Sequence, residues 1–61
     1  MSPSVVKMCV INYLYYVKKY SIEEAQKIYE KDEETWLNVF ELFGEEFVKK
    51  LLETINEYKE D

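Results

Sequence analysis

Histidine and arginine are both absent from this sequence of 61 residues. Without histidine, the chain lacks the side chain that most often serves as a general base and as a metal ligand near neutral pH. Without arginine, it lacks the planar fork that binds phosphates and base edges through two hydrogen bonds, and all eight cations are lysines. The two absences argue against histidine-dependent catalysis and metal binding, and against arginine-mediated recognition of nucleic acids.

Glycine and cysteine occur once each, as Gly44 and Cys9. A phosphate-binding loop needs several glycines and an intrachain disulfide needs two cysteines, so the sequence provides neither. Cys9 has apolar neighbours, which raise the pKa of a thiol, and we interpret it as a small buried side chain rather than a nucleophile. We therefore expect no enzymatic activity, no cofactor and no metal. An unpaired cysteine also favours a reducing compartment, and we expect the cytoplasm.

The charge balance is acidic, with thirteen carboxylates against eight lysines and a formal net charge of −5. This charge repels nucleic acid phosphates and anionic membrane surfaces. Only ten residues separate Lys7 from Lys18, whereas a membrane-spanning helix needs about 20, and no basic leader or cleavage site marks a signal peptide. We expect neither a membrane segment nor secretion. The lysine-, tyrosine- and glutamate-rich composition hints at an AT-rich genome, such as that of a virus or mobile element.

The strongest pattern is the stretch at residues 5–17, VVKMCVINYLYYV, in which eleven of thirteen residues are apolar or aromatic. Five of them are β-branched, which favours a strand. A run of this length without glycine or proline is more typical of a helix, and no second strand is available for pairing. We predict a helix that is apolar on almost every side. So short a chain must either wrap such a helix or share it with another molecule.

Three further segments have helical patterns. Ser21 and Glu24 form a capping box that starts the second helix. From Trp36 onward, one apolar stripe runs through Gly44, which predicts either a single helix of roughly 40 Å or, as we favour, a break at that glycine. The stripe comprises Trp36, Leu37, Phe40, Phe43, Phe47, Val48, Leu51, Ile55 and Tyr58. The sequence thus predicts one all-α domain over residues 1–61, a small three- to four-helix bundle with helices at about 4–19, 22–31, 34–43 and 45–59.

The first predicted helix carries two apolar stripes. Val6 and Val10 belong to the stripe that we expect the later helices to cover, because residues four apart lie on one side of a helix. The second stripe would stay exposed in a monomer, and it contains tyrosine and methionine, which are enriched in interface cores. We predict a non-catalytic protein that binds protein, as a homodimer through the first helix or with a helix of another protein. The predicted interface residues are Met8, Ile11, Leu14 and Tyr15.

The alternative hypothesis is a DNA-binding regulator. Residues 21–40 have the outline of a helix-turn-helix element, with a short turn and a capped second helix. That second helix begins with Glu33 and Glu34, and no lysine occurs at residues 32–46, so acidic side chains stand where phosphate contacts belong. The sequence therefore favours protein binding over nucleic acid binding.

Overall fold

Three α-helices form the structure, a computed structural model that describes residues 2–59. They are α1 (Pro3–Tyr16), α2 (Ile22–Lys31) and α3 (Glu33–Lys59). The described residues contain no strand, so the predicted all-α fold is confirmed. Two of the five β-branched residues of the first stretch, Val6 and Val10, are buried in the core, so packing outweighs their preference for a strand.

The first two helices begin at serine caps. Ser2 Oγ accepts a hydrogen bond from the Ser4 N–H at 3.3 Å, and Pro3 takes the first helical position, where no N–H donor is needed. Ser21 Oγ accepts from the Glu24 N–H at 3.2 Å, which confirms the first half of the predicted capping box. The second hydrogen bond of the box, from the Ser21 N–H to the Glu24 carboxylate, is not present among residues 2–59.

The end of α1 differs from the prediction, because the helix stops at Tyr16 instead of continuing to about residue 19. Lys19 adopts a left-handed backbone conformation with a φ of 66°. A right-handed α-helix cannot continue through a residue in this conformation. The Tyr20 N–H then donates to the Leu14 carbonyl at 3.0 Å and closes the turn. No glycine marks this position, so the sequence carries no local signal for the turn.

The core lies on one side of α1, which packs against both of the other helices. Every buried residue of the core is apolar, and no polar or charged residue among those described is buried. The core cluster comprises Val6, Cys9, Val10, Leu14, Ala25, Tyr29, Phe40 and Val48, and Ile55 is buried as well. Val6 and Val10, which the sequence assigned to the covered stripe of α1, are therefore buried as predicted.

A sharp kink at Gly44 divides α3 into an amino-terminal arm (residues 33–43) and a carboxyl-terminal arm (residues 45–59). Gly44 has φ 71° and ψ −160°, a combination that is essentially restricted to glycine. A straight helix of 27 residues would be about 40 Å long, whereas the longest dimension of the structure is 30 Å. The predicted break is confirmed, and it allows both arms to pack on α1.

Two cation–π contacts hold the carboxyl end of α3 beside the carboxyl end of α1. Lys59 Nζ lies 5.3 Å from the ring centre of Tyr16, and Lys19 Nζ lies 5.5 Å from that of Tyr58. Each end contributes one lysine and one ring, because α3 supplies Lys59 and Tyr58 while α1 and the turn after it supply Tyr16 and Lys19. Exposed contacts of this kind contribute about 0.5–1 kcal/mol each.

Replacement of Gly44 by L-alanine should destabilise the fold by about 1–3 kcal/mol, because the backbone at this position is strained for an L residue. No heavy atom lies within 4 Å of the added methyl, so the effect should come from the backbone alone. Denaturant unfolding followed by circular dichroism measures the change.

The matched control is the same chain made by chemical synthesis with D-alanine at position 44. A D residue favours this backbone conformation, and we expect it to be at least as stable as glycine. Equal destabilisation by both enantiomers would show that the methyl group, and not the backbone, is responsible.

Candidate functional site

The outer face of α1 is the side of the helix that neither α2 nor α3 covers. We define it by Ser4, Lys7, Met8, Ile11, Asn12 and Tyr15. Met8 is 53% exposed and Tyr15 is 40% exposed, while Ile11 is half-buried at the edge of the core. A shallow groove of about 290 Å³ follows the face and is lined by all of its members except Tyr15. Three of the four predicted interface residues therefore share one accessible surface.

Leu14, the fourth predicted interface residue, lies in the core, where it is 7% exposed. It lies eight residues after Val6 and four after Val10, and this spacing places it on the inner stripe of the helix. The spacing alone could have assigned Leu14 to the core. The outer face therefore consists of Met8, Ile11 and Tyr15 with polar neighbours on either side.

The ring of Tyr15 is held by a chain of aromatic contacts. It packs edge-to-face on the ring of Tyr16, with ring centres 4.8 Å apart and an angle of 82° between the planes. Tyr16 is in turn covered by the Lys59 ammonium group. The carboxyl end of α3 thus lies beside one end of the outer face, through the contact of Lys59 with Tyr16.

The outer face also differs from the remaining surface in charge. Lys7 is the single charged residue of α1, and the helix has no acidic residue. A second cleft of about 370 Å³ lies beside the face, and its lining includes Lys7, Glu30 and Glu33. The face is therefore an apolar strip with one cation on a chain whose net charge is −5.

A second exposed apolar pair, Leu42 and Phe43, directly precedes the kink. Leu42 is 80% exposed and Phe43 is 58% exposed. Phe43, a member of the predicted apolar stripe, does not join the core. Phe43 packs instead on Phe47, with ring centres 5.5 Å apart. The sequence feature that could have drawn attention to this exposed pair is its position immediately before the single glycine.

The thiol and the carboxylates do not form a reactive constellation. Cys9 is fully buried among apolar side chains, and this burial raises the pKa of its thiol. Over residues 2–59, no three cysteine, aspartate or glutamate side chains are arranged to hold a metal ion. In the same part of the chain, no helix combines the length and apolar character needed to cross a bilayer.

The segment with the helix-turn-helix outline has an acidic exposed surface. α2 and α3 are joined by the single residue Asp32, whose carbonyl accepts the first hydrogen bond of α3, from the Trp36 N–H at 3.0 Å. The exposed residues of the amino-terminal arm include Glu33, Glu34 and Glu41. A helix with this surface repels a phosphate backbone.

Comparison of the chain with protein-family models, with curated proteins and with solved structures returned no match.

Iodoacetamide should modify Cys9 at least about 100-fold more slowly in the native protein than in urea, because the thiol becomes accessible only when the domain opens. Mass spectrometry of quenched samples gives both rates. The Gln26→Cys variant in a Cys9→Ala background provides the control, since it carries one thiol on the exposed side of α2. Equal native rates for the two thiols would contradict the buried position of Cys9.

The free energy of unfolding should fall as the pH rises above the ordinary thiol value of 9.0. The raised pKa of Cys9 means that the folded chain retains its proton where the unfolded chain has lost it, so stability is complete below this pH and declines above it. Urea unfolding at pH 7, 9 and 10 measures the slope. The Cys9→Ala variant should show a shallower decline, and an identical slope would exclude the thiol as its source.

Proposed function

We propose that this protein is non-catalytic and acts by binding protein, as a homodimer that pairs through the outer face of α1. The observation that supports the proposal is the exposure of Met8 and Tyr15 on the helix that also forms the centre of the core. Methionine and tyrosine are enriched in the buried parts of interfaces and are costly to leave in water as a group.

Charge restricts the surfaces on which two copies of the chain can meet. Two chains with a net charge of −5 repel each other over most of their surfaces. The outer face of α1 itself has one lysine and no acidic residue, and Glu30 and Glu33 lie in the cleft beside it. A closed two-fold dimer is also the commonest assembly of soluble chains.

An antiparallel pair of α1 helices with Ile11 on the two-fold axis fits the positions of these residues. In this register Lys7 lies opposite the partner's Tyr15, because both are four residues from the axis. The ammonium group and the ring then form an intermolecular cation–π contact. Met8 lies beside the same ring, where its sulfur makes a favourable contact with the aromatic edge.

The size of the face predicts a weak dimer. α1 has 14 residues and is about 21 Å long, so one helix pair buries less than the roughly 800 Å² per partner found in stable complexes. We expect dissociation in the micromolar range, where the balance between monomer and dimer depends on protein concentration.

Substitution of Met8 or Tyr15 by glutamate should raise the dissociation constant at least about tenfold, because each places an unpaired charge in the interface. Both side chains are exposed in the monomer, so helicity should remain unchanged. Sedimentation equilibrium measures the association, and circular dichroism confirms the fold.

Leu42→Glu is the matched control, since it introduces the same charge at an apolar position that is 80% exposed and lies away from the outer face. This variant should dimerise like the unmodified chain. A protein that remains monomeric up to several hundred micromolar would contradict the homodimer. Dissociation by Leu42→Glu alone would place the interface at Leu42 and Phe43.

A further inference from the structure

The carboxyl-terminal arm of α3 is held to the rest of the fold mainly by apolar contact. Val48 belongs to the core cluster, and Ile55 is only 3% exposed. The two cation–π contacts lie at the end of the arm. Within residues 2–59, no backbone hydrogen bond joins this arm to α1 or α2. The arm can therefore leave α1 as one unit, without separating any pair of hydrogen-bonded main chains.

A single residue, Gly44, connects the carboxyl-terminal arm to the amino-terminal arm. Gly44 lies outside the helical region of backbone conformation, whereas the residues on both sides of it are helical. No other part of the fold packs against it at the position that a Cβ would occupy. Rotation about the φ and ψ of this one residue is sufficient to convert α3 into a straight helix.

The sequence pattern of α3 is also that of a straight helix. Phe40, Phe43 and Phe47 are separated by three and four residues, so they lie on one side of an unbroken helix. An unbroken helix forms N–H···O=C hydrogen bonds across position 44, which a non-helical residue interrupts. The same apolar stripe therefore suits the kinked and the straight form of α3.

A straight α3 cannot cover its own α1 with both arms. Its carboxyl end would lie about 22 Å beyond Gly44, which is the full length of α1. The side of α1 that the arm leaves is apolar, and its exposure to water is unfavourable. The segment whose shape and chemistry already match this side is the same arm of a second copy of the chain.

We propose that Gly44 is a hinge and that two copies of the chain exchange their carboxyl-terminal arms. In the exchanged dimer both α3 helices are straight, and each arm packs on the α1 of the other copy through the contacts that it makes in the kinked chain. The contacts of Lys59 with Tyr16 and of Lys19 with Tyr58 then join two molecules. Exchange of an identical element is an established route to dimers.

The balance between the two forms depends on the hinge, the crossing point of the two α3 helices and the protein concentration, because the remaining contacts are shared. The two helices pass each other near position 44, so Phe43, which is 58% exposed in the kinked chain, lies close to its counterpart. No residue of the outer face of α1 takes part. The exchanged dimer is therefore independent of the pairing proposed above.

Alanine at position 44 tests the hinge, because an L residue disfavours the kink and favours a continuous helix. All chains in this test also carry Met8→Glu, which removes pairing through the outer face. Gly44→Ala should lower the dissociation constant of the dimer at least about 100-fold, since each dimer straightens two hinges. The chains are refolded from urea at several hundred micromolar and analysed by sedimentation equilibrium. In dilute solution the same substitution only destabilises the kinked monomer.

The matched control is the Met8→Glu chain synthesised with D-alanine at position 44. A D residue favours the kinked conformation, so this chain should remain monomeric where Gly44→Ala dimerises. A monomeric Gly44→Ala chain, or equal dimerisation with both enantiomers, would overturn the hinge. Pairing through the outer face is tested separately, by Met8→Glu with a native glycine at position 44, so either proposal can fail without the other.

Isotope mixing shows whether the dimer is an exchanged one. Carbon-13-labelled and unlabelled chains are refolded together, and nuclear Overhauser contacts between the Tyr16 ring and the Lys59 side chain are recorded. In an exchanged dimer these contacts should appear between a labelled and an unlabelled chain. Contacts found only within one chain would overturn the proposal. The chain with Gly44 should give the same intermolecular contacts in the smaller dimer fraction that forms at the highest concentration, and their absence would overturn exchange in the native protein.

Discussion

The backbone of Gly44 is the constraint on which the rest of the structure depends. Its φ of 71° and ψ of −160° allow one continuous apolar stripe to approach α1 from two directions. A straight α3 of about 40 Å would extend far beyond α1, which is about 21 Å long, and one arm would lose its contact. The burial of Phe40 and Val48, one from each arm, in one core follows from this conformation.

The chain has too little apolar surface to cover α1 completely. α2 and the two arms of α3 bury the side of α1 that carries Val6, Cys9 and Val10, and they leave Met8 and Tyr15 in water. A domain of about 60 residues buries a smaller fraction of its surface than a larger one, so this limit is expected from chain length. The uncovered strip is the feature that distinguishes α1 from an ordinary core helix.

The sequence predicted those parts of the fold that depend on local chemistry. Serine caps and the single glycine act on the residues next to them, and Ser21 and Gly44 both have the predicted roles. The left-handed conformation of Lys19 is imposed by the turn into α2, so the residue itself gives no sign of it. The exposure of Phe43 could not be predicted, because a helical wheel shows which residues share a side but not which of them a neighbouring helix is long enough to cover.

The central position of α1 has a consequence for the order of events during synthesis. The apolar helix is made before Val48, which helps to cover it. At about 5–20 residues per second, translation from Tyr16 to Lys59 takes roughly 2–9 s. Until the carboxyl-terminal arm has been made and has left the ribosome, α1 cannot bury its apolar side completely. The core therefore closes only after this interval.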